Sequence, residues 1–256
     1  MNLQDTRAVV TGGASGLGFA VAKFLVANGG KVALFDVNAE RGAAAVAELG
    51  AGNAHFFRTD VSDEAGVAAN VQAAKDAMGG LNAAINCAGI LGAGRVLGKE
   101  GAMPLSTFAT TVMVNLVGSF NVAKAAAALM QANEPDEDGE RGVIVNTASV
   151  AAYEGQIGQA AYAASKAGIV GLTLPAAREF AASGIRVCAI APGIFETPML
   201  LGMPQEVQDS LGKQVPFPSR LGRPPEYAQF VQQIFENTML NGETIRLDGA
   251  IRMAPR

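Results

Sequence analysis

The 256-residue chain predicts one α/β domain, a doubly wound parallel sheet with helices on both faces. Three observations carry that expectation. Short β-branched or apolar runs alternate with longer Ala-rich segments of helical period. The short runs are continuously apolar, as strands buried on both faces are, rather than alternating. No internal repeat or low-complexity linker breaks the series, so residues 1–256 are read as a single domain, and with 50% hydrophobic residues it can bury a large core.

In chain order, strands are expected at 8–11, 32–36, 54–58, 83–87, 143–147, 186–191 and 244–247. Helices are expected at 17–28, 39–49, 64–78, 106–131, 162–182 and 226–237. Pro175 falls inside the fifth helix and should kink it or break its hydrogen bonding locally. Residues 194–225 are rich in Pro and Gly and too long for a simple connection, which predicts a binding loop or lid.

Composition removes several functions. A net charge of −4 argues against a general nucleic-acid binder, whose footprint is basic. The acids of 134–140 come with Pro135 and Gly139 and read as a solvated loop. Cys87 and Cys188 lie in apolar runs and read as free core thiols in a reducing compartment. With His55 as the single histidine, neither a zinc site nor a Ser-His-Asp triad is expected, and no metal is assigned. Residues 1–5 are polar and show neither a secretory nor an Arg-rich transit pattern. No apolar stretch is expected to reach the ~20 residues of a membrane span, so a cytoplasmic location without membrane contact is expected.

The run Thr11-Gly12-Gly-Ala-Ser15-Gly16-Leu17-Gly18 follows the first strand and opens the first helix. Glycines there permit a tight turn, let backbone approach a pyrophosphate and place that anion at a helix N-terminus. Asp36 ends the second strand, where a carboxylate can accept from both adenosine ribose hydroxyls and repels a 2′-phosphate. The pair predicts NAD over NADP. Asp36 as a helix N-cap also suits its position but leaves the glycine loop unexplained.

Tyr162 and Lys166 stand four residues apart, on one helix face, with Ser149 thirteen residues upstream of Tyr162. A phenol titrates near ~10, and lowering that by two or three units needs roughly 3–4 kcal/mol. A neighbouring ammonium in a partly dry cleft is expected to supply much of it. Ser149 would then hold a substrate oxygen while Tyr162 exchanges its proton.

With these residues in hand, the chain resembles the short-chain dehydrogenase/reductase family along essentially its whole length. The matching pieces are the glycine loop, Asn86-Cys-Ala-Gly89, Asn115, Ser149, Tyr162, Lys166 and Pro192-Gly193-x-x-x-Thr197. The resemblance implies a Rossmann-like, seven-stranded sheet and a proton relay through Asn115, Lys166 and Tyr162. For the cofactor it implies contacts from Gly12, Ser15, Gly16, Leu17 and Gly18, with Asp60 and Val61 near the adenine. Cys87, Ala88 and Gly89 would flank the ribose, Tyr162 and Lys166 the nicotinamide ribose, and Thr197 the carboxamide, with Pro192 also among the cofactor contacts. Cys87 departs from the family's usual second asparagine in a segment that contributes mostly backbone.

A narrower likeness is carried by Arg141-Gly-Val-Ile-Val-Asn-Thr-Ala-Ser149, Gly155-Gln-Ile-Gly-Gln-Ala-Ala-Tyr162, Val215-Pro-Phe-Pro-Ser-Arg-Leu-Gly222 and the segment 241–253. These resemble the type II branch that acts on short-chain 3-hydroxyacyl-CoA esters in fatty acid metabolism, also described as hydroxysteroid dehydrogenases. The likeness implies reversible oxidation of an (S)-3-hydroxyacyl-CoA, a homotetramer, and Gln159 beside Ser149 and Tyr162 at the substrate. Only Arg95 and Lys99 supply positive charge in 92–104, sparse for a CoA ester, and both read equally as surface residues. An apolar pocket under 194–212, with Phe195, Met199, Leu200, Leu201 and Met203, would suit steroids or small alcohols as well, or be plain loop packing. A non-catalytic dinucleotide-binding scaffold is the rival of another class.

Overall fold

The structure, a computed structural model, describes residues 1–99 and 101–255. Elements run β1 (Arg7–Thr11), α1 (Gly16–Ala27), β2 (Lys31–Asp36), α2 (Ala39–Leu49), β3 (Ala54–Arg58), α3 (Glu64–Met78) and β4 (Ala83–Asn86). A small antiparallel hairpin follows, β5 (Leu97–Gly98) and β6 (Gly101–Ala102). Next come α4 (Leu105–Val112), a π-helical turn (Met113–Val117) and α5 (Gly118–Met130). The chain continues through β7 (Gly142–Thr147), α6 (Ala160–Phe180), β8 (Ile185–Pro192), α7 (Pro198–Leu201), α8 (Gln205–Lys213), α9 (Pro224–Glu236) and β9 (Thr244–Leu247).

Seven of these strands form one parallel sheet in the order β3-β2-β1-β4-β7-β8-β9. The chain winds outward from β1 to β3, then returns to lay β4 on the other side of β1. Connections leave the carboxyl ends of β1 and β4 in opposite directions, and the crevice between them is where such sheets bind ligands.

Strand residues alternate between two cores, as a pleated strand dictates. Val10, Val32, Leu34, Ile85 and Val145 face one side, under α1 and α9 through Leu25, Tyr227 and Phe235. Val9, Phe35, Ala84, Ile144 and Val187 face the other, under α3, α5 and α6 through Val67, Ala126 and Ala177. At the edge remote from the crevice, buried Arg186 is paired with Glu140 and donates to the Ile234, Phe235 and Leu240 carbonyls. A buried ion needs every one of those partners.

Two expectations change, and two gain detail. The helix read as 106–131 is interrupted by the π-turn at Met113–Val117. By length and composition Leu105–Met130 could cross a membrane, which corrects the reading that no stretch reaches that length. Its Val122, Ala126 and Met130 pack in the core under the sheet, which accounts for its apolar character. Pro175 leaves α6 continuous from Ala160 to Phe180. The carbonyl it deprives of a donor belongs to Gly171, which is exposed to water. Finally, the segment 194–225 read as a binding loop or lid contains α7 and α8, and its Phe195 bridges to Gly222.

Candidate active site

The crevice is floored by backbone packed closely enough to need glycine. Gly12 and Gly16 take left-handed φ values of 61° and 56°, which turn the chain from β1 into α1. A methyl on Gly18 would lie 2.4 Å from the Gly12 carbonyl oxygen, so α1 starts hard against β1. Ser15, the N-cap of α1, makes no side-chain capping bond, leaving first-turn amides open to an anion, with Leu17 in that turn. Asp36 closes one end of the crevice: its carboxylate accepts the Ala14 amide at 3.3 Å and the Asn38 amide at 3.0 Å. Capping of α2 falls to Asn38, whose side chain accepts the Arg41 amide, so Asp36 is not the cap.

Asp60 and Val61 follow β3 beside it, since the Thr59 amide donates to the Asp36 carbonyl at 3.0 Å. Asp60 accepts the Ser62 hydroxyl and amide, which hold its carboxyl below the usual range. Val61 is buried, and its carbonyl accepts Asn121 Nδ2. Across the crevice, Thr11 Oγ1 accepts the amides of Cys87 (3.1 Å) and Ala88 (3.0 Å). Gly89 sits where a methyl would be 3.2 Å from Asn115 Oδ1 and 3.7 Å from Lys166 Nζ. Pro192 ends β8 opposite Leu247, and Thr197 stands at the N-cap position of α7 without a side-chain capping bond, while Pro198 reaches within 3.4 Å of the Cβ position of Gly16. The residues are those a nicotinamide dinucleotide requires: open helix amides, close backbone, and a carboxylate for ribose hydroxyls.

Ser149 leaves β7 and starts a 3-10 turn; its Oγ accepts the Ala151 amide at 3.1 Å. Tyr162 and Lys166 share one face of α6, with Nζ 5.7 Å from the phenol ring centre. Lys166 is buried and donates to the Thr147 carbonyl at 2.7 Å. Asn115, in the π-turn, bonds both backbone groups of Ile90 and donates to Ser165 Oγ at 3.0 Å; Ser165 in turn donates to the Tyr162 carbonyl at 2.7 Å. Asn115 therefore reaches α6 through Ser165 and not through a direct bond to Lys166.

Charge in this group corrects one expectation. Burial pushes the Tyr162 phenol up; Ser149 offsets part of this, without a well-formed hydrogen bond between the two side chains. Burial also pulls the Lys166 ammonium down to about 8, with Cys87 opposing. Burial prevails for the phenol, which stays above its ordinary range although the Lys166 ammonium lies close by. At neutral pH the phenol keeps its proton and is set up as an acid.

Gln159 sits just before α6 and its Oε1 accepts the Gln156 amide at 3.1 Å. Both glutamines line an open cleft of about 490 Å³ together with Arg95, Val96, Leu97 and Ile157. The cleft reaches Ala163, next to Tyr162, while Tyr162 and Ser149 are not in its wall. Lys99 is exposed outside it. Under 194–212, Phe195 is buried edge-on against Tyr227 and Leu200 is buried, whereas Leu201 and Met203 are exposed; the Met199 side chain lies outside the described part.

Two positions escaped sequence reading. Tyr227 is fully buried, its hydroxyl 2.7 Å from Thr147 Oγ1, which also meets Cys87 Sγ at 3.5 Å. Thr147 thereby holds α9 with its side chain and Lys166 with its carbonyl. A backbone acceptor leaves no mark on residue type, so only the apolar setting of Tyr227 in α9 was legible. Among the described residues no His, Cys, Asp or Glu cluster could hold a metal ion.

A family model described as short chain dehydrogenase matches residues 6–208. The chain is 51% identical over 255 residues to the 3-hydroxyacyl-CoA dehydrogenase type-2 of Drosophila melanogaster, covering 99% of this chain and 100% of the relative. It is 54% identical over 250 residues to the protein of the same description from Homo sapiens, covering 97% and 95%. A crystal structure described as 3-hydroxyacyl-CoA dehydrogenase type-2 from Mycobacterium avium superposes with a TM-score of 0.92 at 42% identity, covering 99% of each chain.

Proposed function

The chain belongs to the short-chain dehydrogenase family, and from that premise we propose that it interconverts (S)-3-hydroxyacyl-CoA and 3-ketoacyl-CoA with NAD. It is an oxidoreductase that uses a nicotinamide dinucleotide and a small-molecule substrate. The observation that carries the reaction is the meeting of Ser149, Tyr162 and Lys166 beside the glycine-lined crevice. NAD as the particular dinucleotide is supported by the Asp36 carboxylate at the tip of β2.

When bound, the nicotinamide gives or takes the hydride. The Tyr162 phenol gives its proton to the ketone oxygen in reduction and recovers it from the alcohol in oxidation. Ser149 Oγ holds that same oxygen by hydrogen bond. Lys166, charged below about pH 8, faces the phenol and stabilises the anion it leaves behind. Such acid–base help is worth ~10²–10⁴-fold. An elongated acyl thioester suits the cleft between Leu97 and Ile157, whose walls are mostly apolar.

A second reading, a hydroxysteroid or small secondary alcohol as substrate, is favoured by the single cation, Arg95, in that cleft. Comparing kcat/KM for acetoacetyl-CoA with that for free ketones of similar size separates the two. NADH binding without NADH oxidation across that panel would instead favour a scaffold role. The proposal includes a homotetramer, supported by the exposed series Leu105, Phe108, Met113, Val117 and Phe120, and tested by light scattering. A cytoplasmic location agrees with the two free thiols.

A further inference from the structure

The wall of the cleft formed by residues 155–159 is loose by composition and tight by attachment. Gly155 and Gly158 give it wide backbone freedom, and Gly158 uses it at φ 91°. On one side the Gly158 carbonyl accepts the Gly94 amide at 2.8 Å, ahead of the β5–β6 hairpin. On the other, the Ile157 amide donates to the Pro255 carbonyl at 3.0 Å and Gln156 Nε2 to the Ala254 carbonyl at 2.9 Å. The wall therefore leans on the last turns of the chain.

The part of that tail nearest the wall is fastened at Glu154, while Arg246 Nη2 also donates to the Ile251 carbonyl at 2.9 Å. Glu154 accepts both Arg246 Nη atoms, at 2.7 and 3.0 Å, and the Met253 amide at 3.2 Å. Arg246 donates from Nε to Asp248 at 2.7 Å and lies over the Tyr153 ring at 5.3 Å. Arg252 adds weaker contacts to Glu154 at 3.5 Å and Asp248 at 3.4 Å. A two-pronged Arg–carboxylate pair fixes direction as well as distance. Glu154 also immediately precedes the wall it supports, so β9, the tail and the cleft meet at this one side chain.

We propose that Glu154 is a positioning residue which, by gripping Arg246 and the Met253 amide, holds residues 253–255 against residues 155–159 and so fixes the substrate cleft around Gln159. It acts on where the substrate sits and leaves the proton-transfer residues alone. The inference rests on the reading above only in taking this cleft as substrate-bearing.

Two variants test it in full-length and shortened protein: E154Q, which keeps the shape and loses the charged pair, and a chain ending at Met253. P255A serves as control, because the carbonyl that binds Ile157 remains. KM for acetoacetyl-CoA should rise about tenfold in both variants, with kcat within about twofold and NADH affinity by fluorescence titration unchanged; P255A should match the wild type. The inference is overturned if KM stays within about twofold in E154Q, or if a rise in KM there comes with comparable falls in kcat and in NADH affinity, the mark of general loosening. Should the shortened chain not fold, E154Q decides alone. If the wild type ignores acetoacetyl-CoA, the substrate reading fails, and the same KM comparison on its best ketone still decides the role of Glu154.

Discussion

Asn115 grips Ile90 by both ends of its peptide, Oδ1 accepting the amide at 2.8 Å and Nδ2 donating to the carbonyl at 2.9 Å. The remaining Nδ2 proton goes to Ser165, one residue before Lys166. A fully buried amide thus joins the segment after β4 to the helix bearing Tyr162. N115A orphans both Ile90 groups and should cost about 1–3 kcal/mol. N115D should do no better, since a carboxylate cannot donate to the Ile90 carbonyl. Urea unfolding measures the first quantity, and loss of at least about tenfold in kcat/KM is expected alongside it.

Tyr162→Phe keeps the ring and removes the proton. Turnover should fall by about 10²-fold or more in either direction, with NADH affinity within a factor of a few. Fluorescence titration beside steady-state rates reads both. A variant turning over at the wild-type rate would remove Tyr162 from the reaction.

Lys166 sets the pH response. Its folded-state value of about 8 lies below the ordinary 10.5, so the unfolded chain holds the extra proton between these values. Stability at this site therefore rises as pH climbs from about 8 toward 10.5, and below 8 the buried charge is a burden in full. Lys166→Met should be inactive, yet more resistant to urea at pH 7, with the advantage shrinking at pH 10. Ketone reduction by the wild type should decline above about pH 8 as the ammonium is lost. An unchanged rate up to pH 10 would contradict this.

Asp36 should decide the choice of cofactor. Asp36→Ala removes the ribose acceptor and the charge that repels a 2′-phosphate, and should shift the NAD to NADP ratio of kcat/KM by about tenfold or more toward NADP. The Asn38 amide it releases belongs to an exposed residue, whereas Ala14 is buried, so losing that acceptor should cost about 1 kcal/mol of stability. Initial rates with each cofactor test this.

Much of this was legible because strand and glycine signals are local. Val9, Val10 and Ile85 announce buried strands by themselves, and the glycines from Gly12 to Gly18 announce the turn. What escaped depends on contacts distant in sequence. The π-turn around Asn115 has no residue-type signature, and the Ile90 partner of Asn115 lies 25 positions away. The β5–β6 hairpin has strands of two residues with glycine in each, too short for periodicity. The upward shift of Tyr162 by burial is not legible, because spacing shows proximity to Lys166 and says nothing of how dry the site is. Thr147 serves Lys166 through a carbonyl that every residue carries.

The widened turn at Met113–Val117 also holds the one residue that its helix could lose without losing phase. Its removal would close the turn to α pitch and leave the segments on either side near their present orientation, at the cost of the Asn115 grip on Ile90. Within α4, by contrast, one residue more or fewer would rotate Leu105 and Phe108 by about 100° against Met113, Val117 and Phe120. Side chains along this rod can be exchanged one at a time, whereas a single-codon insertion or deletion in α4 would split the outer seam.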